Sequence, residues 1–262
     1  MVGARAPDGK GDIMTRMTRT GRAIAIVAVA SAATIAMSGC AWLAPIERFS
    51  DDATLDEQVQ SIEIDHPEGR VTIEGVEGAT SVSVSRTVSY RGAREIGATV
   101  EVQGDVLVLG GCGRNCSVDY TVEVPVGLDV SGATSNGAIT LTGVNEVEVE
   151  TSNGRIELDD VTGEIEAKTS NGRIEGRGLA GDGVSASTSN GAIELSLAAP
   201  QSVEAHTSNG SIDVAVPAGE ASYRVETDTS NGSVDVDIDD LADGEFLLDL
   251  STSNGSITVS GG

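Results

Sequence analysis

Three cysteines and two histidines are the side chains of this 262-residue chain best suited to metal or covalent chemistry. Cys112 and Cys116 lie in Gly-Gly-Cys-Gly-Arg-Asn-Cys-Ser, with three residues between them. A metal site would need further thiol or imidazole ligands nearby, and a redox pair would need two-residue spacing at the start of a helix. The pair therefore predicts a structural disulfide formed in an oxidising compartment.

The other candidate residues for chemistry do not form a catalytic set. His206 directly precedes a Thr-Ser-Asn-Gly segment at an outward position, which predicts a surface residue, and His66 has no partner motif. The carboxylates from Asp235 to Asp240 resemble the start of a calcium loop. Asp240 replaces the required glycine, however, and Phe246 stands where a bidentate glutamate belongs. Nucleophile, zinc-protease and phosphate-loop motifs are absent from the sequence. We therefore expect no catalytic residue, no metal site and no cofactor.

The charge of the chain excludes one large class of partner. The formal net charge is −25, whereas phosphate recognition requires a basic surface. We therefore expect no nucleic-acid binding. Such a surface favours cationic partners or metal ions over anionic lipid headgroups. The simpler interpretation is a solvated acidic shell that suppresses aggregation.

Residues 14–40 have the pattern of a bacterial export signal. Three arginines at 16, 19 and 22 precede an apolar run over 23–36, which is too short for a comfortable membrane-spanning helix. Met37-Ser38-Gly39-Cys40 then resembles a lipobox, in which Cys40 carries lipid and becomes the first mature residue. An ordinary secretory signal and an uncleaved anchor remain alternatives. We expect an upstream segment and signal peptide over 1–39, a lipidated Cys40 with a tether over 40–60, and a folded domain over 61–262.

Seven copies of Thr-Ser-Asn-Gly-x-(Ile/Val) occupy the C-terminal half of the chain, and they must position any site that it carries. The copies lie at 134–139, 151–156, 169–174, 188–193, 207–212, 229–234 and 252–257. Successive copies start 17 to 23 residues apart. A period near 20 residues with a constant turn signature is typical of stacked repeats.

The alternation of apolar residues changes parity across each copy. Before the turn the inward residues end on the threonine, as in Val147, Val149 and Thr151; after it they resume at Ile156 and Leu158. A continuous strand cannot change parity in this way. The Ser-Asn-Gly segment must therefore form a corner or a bulge, for which glycine supplies a left-handed or open backbone.

Two architectures fit this pattern. In a hairpin array, Asn-Gly would be a type I′ turn between antiparallel strands. In a β-solenoid, the same residues would stack on their own copies, which favours near-identical corners. We predict the second: an all-β, single β-solenoid of stacked coils of 17 to 23 residues. Asparagine amides and threonine hydroxyls should each form a ladder along its axis. The predicted asparagines and corner glycines are Asn136, Asn153, Asn171, Asn190, Asn209, Asn231, Asn254, Gly137, Gly154, Gly172, Gly191, Gly210, Gly232 and Gly255.

Residues 61–130 are also rich in strand patterns, and we interpret them as divergent coils that precede the regular repeats of 131–262. The segment 69–73, Gly-Arg-Val-Thr-Ile, looks like a degenerate copy of the second half of the motif. Together with Tyr-x-Val-x-Val-Pro-x-Gly-Leu-x-Val at 120–130 and the seven repeats, it resembles the bacterial family of putative adhesins over about residues 60–262. The resemblance implies a β-solenoid domain of unknown function on the cell exterior.

These features lead us to expect a non-enzymatic lipoprotein of the cell envelope, anchored through Cys40 at the outer face of the bacterial cytoplasmic membrane. It would present its solenoid surface to an unknown protein or glycan ligand for adhesion or protein–protein interaction. An accessory sensor or regulator of envelope stress is the alternative. A glycan-active β-helix enzyme is a weaker one, because it needs paired carboxylates in a groove and aromatic residues make up only 2% of the chain.

Overall fold

Short strands joined by glycine-rich corners make up the regular secondary structure of the computed structural model, which describes residues 22–23, 45–66, 68–93 and 95–262. In chain order the strands are β1 (Arg22–Ala23), β2 (Ile46–Leu55), β3 (Ser61–Asp65), β4 (Val71–Val76), β5 (Val82–Arg91), β6 (Val100–Gln103), β7 (Val106–Gly110), β8 (Cys116–Pro125), β9 (Asp129–Asn136), β10 (Ile139–Thr142), β11 (Val147–Asn153), β12 (Ile156–Asp159), β13 (Ile165–Asn171), β14 (Ile174–Leu179), β15 (Gly183–Asn190), β16 (Ile193–Leu197), β17 (Ser202–Asn209), β18 (Ile212–Val216), β19 (Tyr223–Asn231), β20 (Val234–Asp237), β21 (Phe246–Asn254) and β22 (Ile257–Gly261).

The strands form two sheets, and each regular coil gives one strand to each sheet. Sheet A has the spatial order β1-β6-β7-β3-β9-β11-β13-β15-β17-β21-β19, and sheet B has the order β2-β5-β8-β4-β10-β12-β14-β16-β18-β22-β20. Neighbouring strands of the repeats are parallel and in register, so that Val147 lies beside Ile165 and Asn153 beside Asn171. The predicted β-solenoid is therefore confirmed, and the hairpin array is excluded for the repeats.

The core consists of aliphatic columns between the two sheets, because equivalent residues of successive coils occupy the same register position. In one coil Val147, Val149 and Thr151 point inward from sheet A, and Ile156 and Leu158 point inward from sheet B; all five are buried. The parity change predicted at the corner is thus the point at which the chain passes from one sheet to the other.

The N-terminal end of the solenoid differs from the prediction of continuous divergent coils over 61–130. β3 and β4 form a parallel coil that pairs with β9 and β10, but β5 and β6 run antiparallel to β8 and β7. β2 runs antiparallel to β5, so the predicted tether over 40–60 contains a strand of the fold. The inward position of Asp51 on β2 hides the strand in the sequence, because a carboxylate there looks like solvent-facing linker.

Both ends of the solenoid contain a coil that lies out of chain order. β21 and β22 lie between β17–β18 and β19–β20, so the last coil in the chain is the second last in space. The coil of β3 and β4 similarly lies between those of β7–β8 and β9–β10. The C-terminal edge of the solenoid therefore belongs to β19 and β20, where Tyr223 at the start of β19 also bridges to Asp240.

Candidate functional site

The corner glycines allow successive coils to approach closely. A Cβ atom added to Gly172 would lie 1.8 Å from the Gly154 carbonyl oxygen, and the other corner glycines meet a neighbouring carbonyl at 1.8–2.0 Å. Of the seven, only Gly255 has a positive φ, at 158°, which is close to extended backbone. Of the two forms predicted for the corners, left-handed or open, the left-handed one is therefore not adopted by the other six glycines. Glycine is required because no side chain fits between the stacked backbones.

The threonines and asparagines of the motif link the corners of adjacent coils. The Asn153 amide nitrogen donates to Asn136 Oδ1 at 3.0 Å, and the same bond recurs at 3.0–3.1 Å up to Asn231. The Thr169 hydroxyl, in contrast, donates to the Gly154 carbonyl at 3.0 Å. Six of the seven threonine hydroxyls thus link successive coils as a ladder, and each does so through the glycine carbonyl of the neighbouring corner.

The cysteine pair lies at the same kind of sheet-to-sheet crossing. Cys112 and Cys116 are joined by a disulfide with a Cα–Cα distance of 5.8 Å, and the loop connects β7 of sheet A to β8 of sheet B. It occupies the place that Ser-Asn-Gly has in a regular coil. Cys40 and most of the predicted signal peptide lie outside the described residues; only Arg22–Ala23 is described, as a short strand antiparallel to β6.

A buried ion pair, which sequence reasoning missed, holds the N-terminal end together. The Arg86 guanidinium donates to both carboxylate oxygens of Asp51, at 2.5 and 2.7 Å, and both side chains are at most 7% exposed. Arg86 also donates to Thr99 Oγ1 at 2.8 Å, which lies 2.6 Å from the Tyr120 hydroxyl. Burial raises the pKa of Tyr120 to about 12. The group joins β2, β5, β8 and the segment before β6, and all four of its side chains are buried.

The two histidines have opposite environments. His206 is exposed, and its Nδ1 lies 2.8 Å from Ser251 Oγ, as its outward position predicts. His66 is buried, and its ring lies edge-on to Tyr120 with 5.6 Å between centroids. Burial lowers the pKa of His66; the Glu68 main chain and two nearby carboxylates oppose that shift without forming a well-aligned hydrogen bond to either ring nitrogen. His66 is therefore a neutral core residue near neutral pH.

Two adjacent columns of side chains define the outer face of sheet B. The first is a column of carboxylates on four successive parallel strands: Glu157, Glu175, Glu194 and Asp213. The second begins two residues further along the strands and contains short side chains: Ser196, Ala215 and Ser260. Because the side chains of the second column are short, they leave a shallow open depression of 470 Å³ beside the carboxylates.

We call this depression the sheet B furrow, and its lining residues with outward side chains are Glu175, Arg177, Glu194, Ser196, Asp213, Ala215, Thr258 and Ser260. Arg177 pairs with Glu175 and lies 3.6 Å from Asp159, and Arg173 lies 3.2 Å from Glu194. Asp213 accepts a hydrogen bond from Ser211 at 3.0 Å but makes no ion pair among the residues that the structure describes. The furrow thus offers a carboxylate without an ion-pair partner next to an open floor.

Sheet A carries outward carboxylates as well, but in a different setting. Glu148 and Glu166 are register neighbours beside a smaller depression of 250 Å³, in which Lys168 pairs with Glu166. Asp235 and Asp237, which resembled part of a calcium loop, lie on strand β20. Within the described ranges, no group of three or more His, Cys, Asp or Glu side chains is placed to hold a metal ion. No helix in the described part of the chain is long and apolar enough to cross a bilayer.

These features define a class: a two-sheet parallel β-solenoid whose corners are stacked Thr-Ser-Asn-Gly segments. Residues 56–260 match the model of the Toastrack DUF4097 family, and the chain belongs to that family. The resemblance to the bacterial family of putative adhesins is thereby confirmed. A search of curated proteins finds no match.

Several solved structures resemble the chain at low identity. One is a putative adhesin from Parabacteroides merdae ATCC 43184, with 13% identity and a TM-score of 0.48 over 81% of this chain and 96% of that one. Another is a putative cell adhesion protein from Clostridium sporogenes ATCC 15579, with 10% identity and a TM-score of 0.37 over 83% of this chain and 100% of that one. A third is a putative lipid binding protein from Parabacteroides distasonis ATCC 8503, with 14% identity and a TM-score of 0.42 over 81% of this chain and 95% of that one.

Proposed function

We propose that this chain is an exported, non-enzymatic lipoprotein, held at the outer face of the cytoplasmic membrane by lipid on Cys40, that binds a partner protein through the sheet B furrow. The partner presents lysine or arginine side chains to the furrow. Its contact is adhesive if the partner belongs to another cell or to a matrix. A regulatory membrane protein in the same place would make the chain a sensor.

The unpaired carboxylate of Asp213 beside the short side chains of Ser196 and Ala215 is the observation that carries this proposal. A cationic side chain that lies along the short column reaches Asp213 and Glu194 without displacing any core residue. One exposed ion pair contributes only about 0.2–1 kcal/mol. Stable binding therefore requires several such contacts along the column, over an interface of roughly 1,200 Å² or more. Complementary charge of this kind mainly speeds association, and salt weakens it.

The position of the furrow in the rod suits presentation away from a membrane. In the proposed mature protein, which begins at Cys40, the chain enters the fold at β2, the edge strand of sheet B. The furrow spans β14, β16, β18 and β22, six to nine strands away. At about 4.8 Å per strand this distance is roughly 30–45 Å. The stacked, in-register corners make the intervening coils a rigid spacer.

The anchoring half of the proposal is tested by replacing the cysteine of the lipobox. Cys40→Ala should release the exported protein from membranes into the soluble fraction, whereas Cys112→Ser, which removes a cysteine far from the lipobox, should leave it membrane-bound. Membrane association of the Cys40→Ala variant that survives a salt wash would overturn the lipoprotein assignment.

The binding half is tested by zero-length crosslinking, which joins a carboxylate directly to a partner amine. The anchored protein is treated in intact cells with a carbodiimide, and the crosslinked peptides are identified by mass spectrometry. Glu194→Gln with Asp213→Asn should abolish the main adduct. The matched pair Glu148→Gln with Glu204→Gln, which removes the same charge from sheet A, should retain it. Loss of the adduct in the sheet A pair alone, or in neither pair, would contradict the proposal.

A further inference from the structure

The seven Asn-Gly pairs of the chain form a natural comparison for one chemical reaction. An asparagine followed by glycine is prone to deamidation, because the unhindered glycine nitrogen can attack the asparagine side-chain carbonyl carbon. All seven pairs lie in the same local sequence, Thr-Ser-Asn-Gly. Differences between their rates must therefore come mainly from the folded structure.

Six of the seven glycine nitrogens are engaged in the stack. Gly154 donates its N–H to the Asn171 carbonyl at 3.1 Å, and equivalent bonds of 3.0–3.2 Å link five further corners to the coil beyond each of them. The donors of these bonds are Gly137, Gly154, Gly172, Gly191, Gly210 and Gly255. A glycine nitrogen that is held in this way cannot turn toward the preceding asparagine side chain unless the two coils separate.

The seventh pair, Asn231-Gly232, lies in the last coil in space. No coil lies beyond it, and the Gly232 N–H has no hydrogen-bond partner among the described residues. Gly232 is exposed, whereas the other six corner glycines are only half-exposed. The Asn231 side chain donates to Asn254 Oδ1 at 3.0 Å, but its own Oδ1 lacks the donor that every internal asparagine of the ladder has.

Two features set Asn231 apart: an incomplete set of ladder bonds and a glycine nitrogen without a partner. Asn136, at the opposite end of the ladder, has only the first of them. Its side chain makes only one ladder bond, from Asn153, so it resembles Asn231 in this respect. Its glycine differs, because Gly137 donates to the Asn153 carbonyl at 3.2 Å. A free glycine nitrogen is therefore the feature that distinguishes Asn231.

We propose that Asn231 is a site of spontaneous deamidation and that the stack protects the other six asparagines. The Gly232 nitrogen loses its proton to solvent and bonds to Asn231 Cγ. The Cγ–Nδ2 bond then breaks, and ammonia leaves with a proton taken from solvent. Water opens the resulting five-membered imide at either carbonyl, which yields aspartate or isoaspartate. Water is the only co-reactant, and no electrons are transferred.

The product changes the edge of the solenoid. A new carboxylate at residue 231 lies on the exposed strand that already carries Asp228 and Glu226. It can no longer donate to Asn254, so the last rung of the ladder is lost. The modification therefore loosens the terminal coil with age.

The test measures the rate at each of the seven sites in one sample. The purified protein is incubated in mildly alkaline buffer prepared with water enriched in heavy oxygen, and peptide mapping follows label uptake at each asparagine. Asn231 should react at least about 10-fold faster than any other site, since one hydrogen bond and the opening of a coil protect the rest. In concentrated urea all seven should react at similar rates. Asn136 reacting as fast as Asn231 in the native protein, or any internal site reacting faster, would overturn the proposal.

A pair of variants gives a second readout. Asn231→Gln should remove the fast phase of ammonia release, because glutamine cyclises far more slowly. Asn136→Gln, which makes the same change at the other end of the ladder, should retain the fast phase. A fast phase that persists in Asn231→Gln would show that another site is responsible.

Discussion

Replacing Gly172 with alanine tests whether close stacking of corners holds the solenoid together. The new Cβ would lie 1.8 Å from the Gly154 carbonyl oxygen and 2.6 Å from its carbon. Ordinary contact begins at 3.4 Å, so the two corners must separate by about 1.6 Å, the difference between 3.4 and 1.8 Å. The obstacle is backbone on both sides, and no flexible side chain can move to relieve it.

That separation breaks the hydrogen bonds at this point of the stack. They run from Gly154 N to the Asn171 carbonyl (3.1 Å), from Thr169 to the Gly154 carbonyl (3.0 Å) and from the Asn171 amide to Asn153 (3.1 Å). A fourth bond, from Ile156 N to the Arg173 carbonyl, is next to them. Four bonds at about 1 kcal/mol each amount to about 4 kcal/mol. Alanine recovers about 0.4–1 kcal/mol by restricting the unfolded chain, so the expected loss is about 3 kcal/mol.

The assay is urea unfolding followed by far-UV circular dichroism, with Gly183→Ala as the matched control. A Cβ at Gly183 would meet only the Ser202 carbonyl oxygen, at 3.7 Å, so this variant should stay within about 0.5 kcal/mol of the parent. If Gly172→Ala costs less than about 1 kcal/mol, or no more than the control, the close-approach explanation of the corner glycines is refuted.

Two further predictions concern the N-terminal end. Asp51→Asn leaves the Arg86 guanidinium buried without its counterion and should lower the free energy of unfolding by about 3–5 kcal/mol. Asp51→Leu with Arg86→Met should recover most of this loss. Urea unfolding of the parent and both variants measures these differences, and a double variant as unstable as the single one would contradict the prediction. Because burial holds the pKa of His66 below its ordinary value of 6.5, the unfolded chain takes up this proton at a higher pH than the folded one, and stability should fall as the pH drops below 6.5. Thermal unfolding across that range should show a smaller fall in stability for His66→Phe than for the parent. Identical profiles for the two proteins would exclude His66 as a source of acid sensitivity.

The repeat could be predicted from the sequence because its signals are local. The change of parity in the apolar alternation makes Thr151 and Ile156 inward residues of two different strands. Identical corners at a constant period favour stacking over hairpins. The same reasoning recovered the degenerate copy, since Val71 pairs with Ile139 in register. Local patterns do not show which residue of the adjacent coil lies opposite a given residue. For that reason the close approach of successive coils at the glycines is visible only in the structure.

The order of the last two coils agrees with the size of their inward side chains. The internal coil of β21 and β22 turns Leu248, Leu250 and Ile257 inward, whereas the terminal coil of β19 and β20 turns Val225 and Thr227 inward. Larger apolar side chains gain more from full burial, so the richer coil takes the internal place. Identical Thr-Ser-Asn-Gly corners permit either order, and only the strand residues decide between them.

The antiparallel strands at the other end could not be inferred in this way. Asp51 and Arg86 are both inward and charged, and each looks like a surface residue until the other is placed opposite it. The sheet B furrow is likewise invisible in the sequence, because Ser196, Ala215 and Ser260 become neighbours only through the register of three strands, one of them from the displaced last coil.

The most direct test of the proposed binding role places a photocrosslinking residue at Ser196, in the furrow, and separately at Ser187, an outward position on sheet A. Both proteins keep Cys40 and are irradiated in living cells, and their adducts are compared by mass spectrometry. If the partner binds in the furrow, position 196 should give a discrete adduct that weakens in high salt and in the Asp213→Asn background, and position 187 should give none. An adduct of equal yield from both positions, or from position 187 alone, would contradict it.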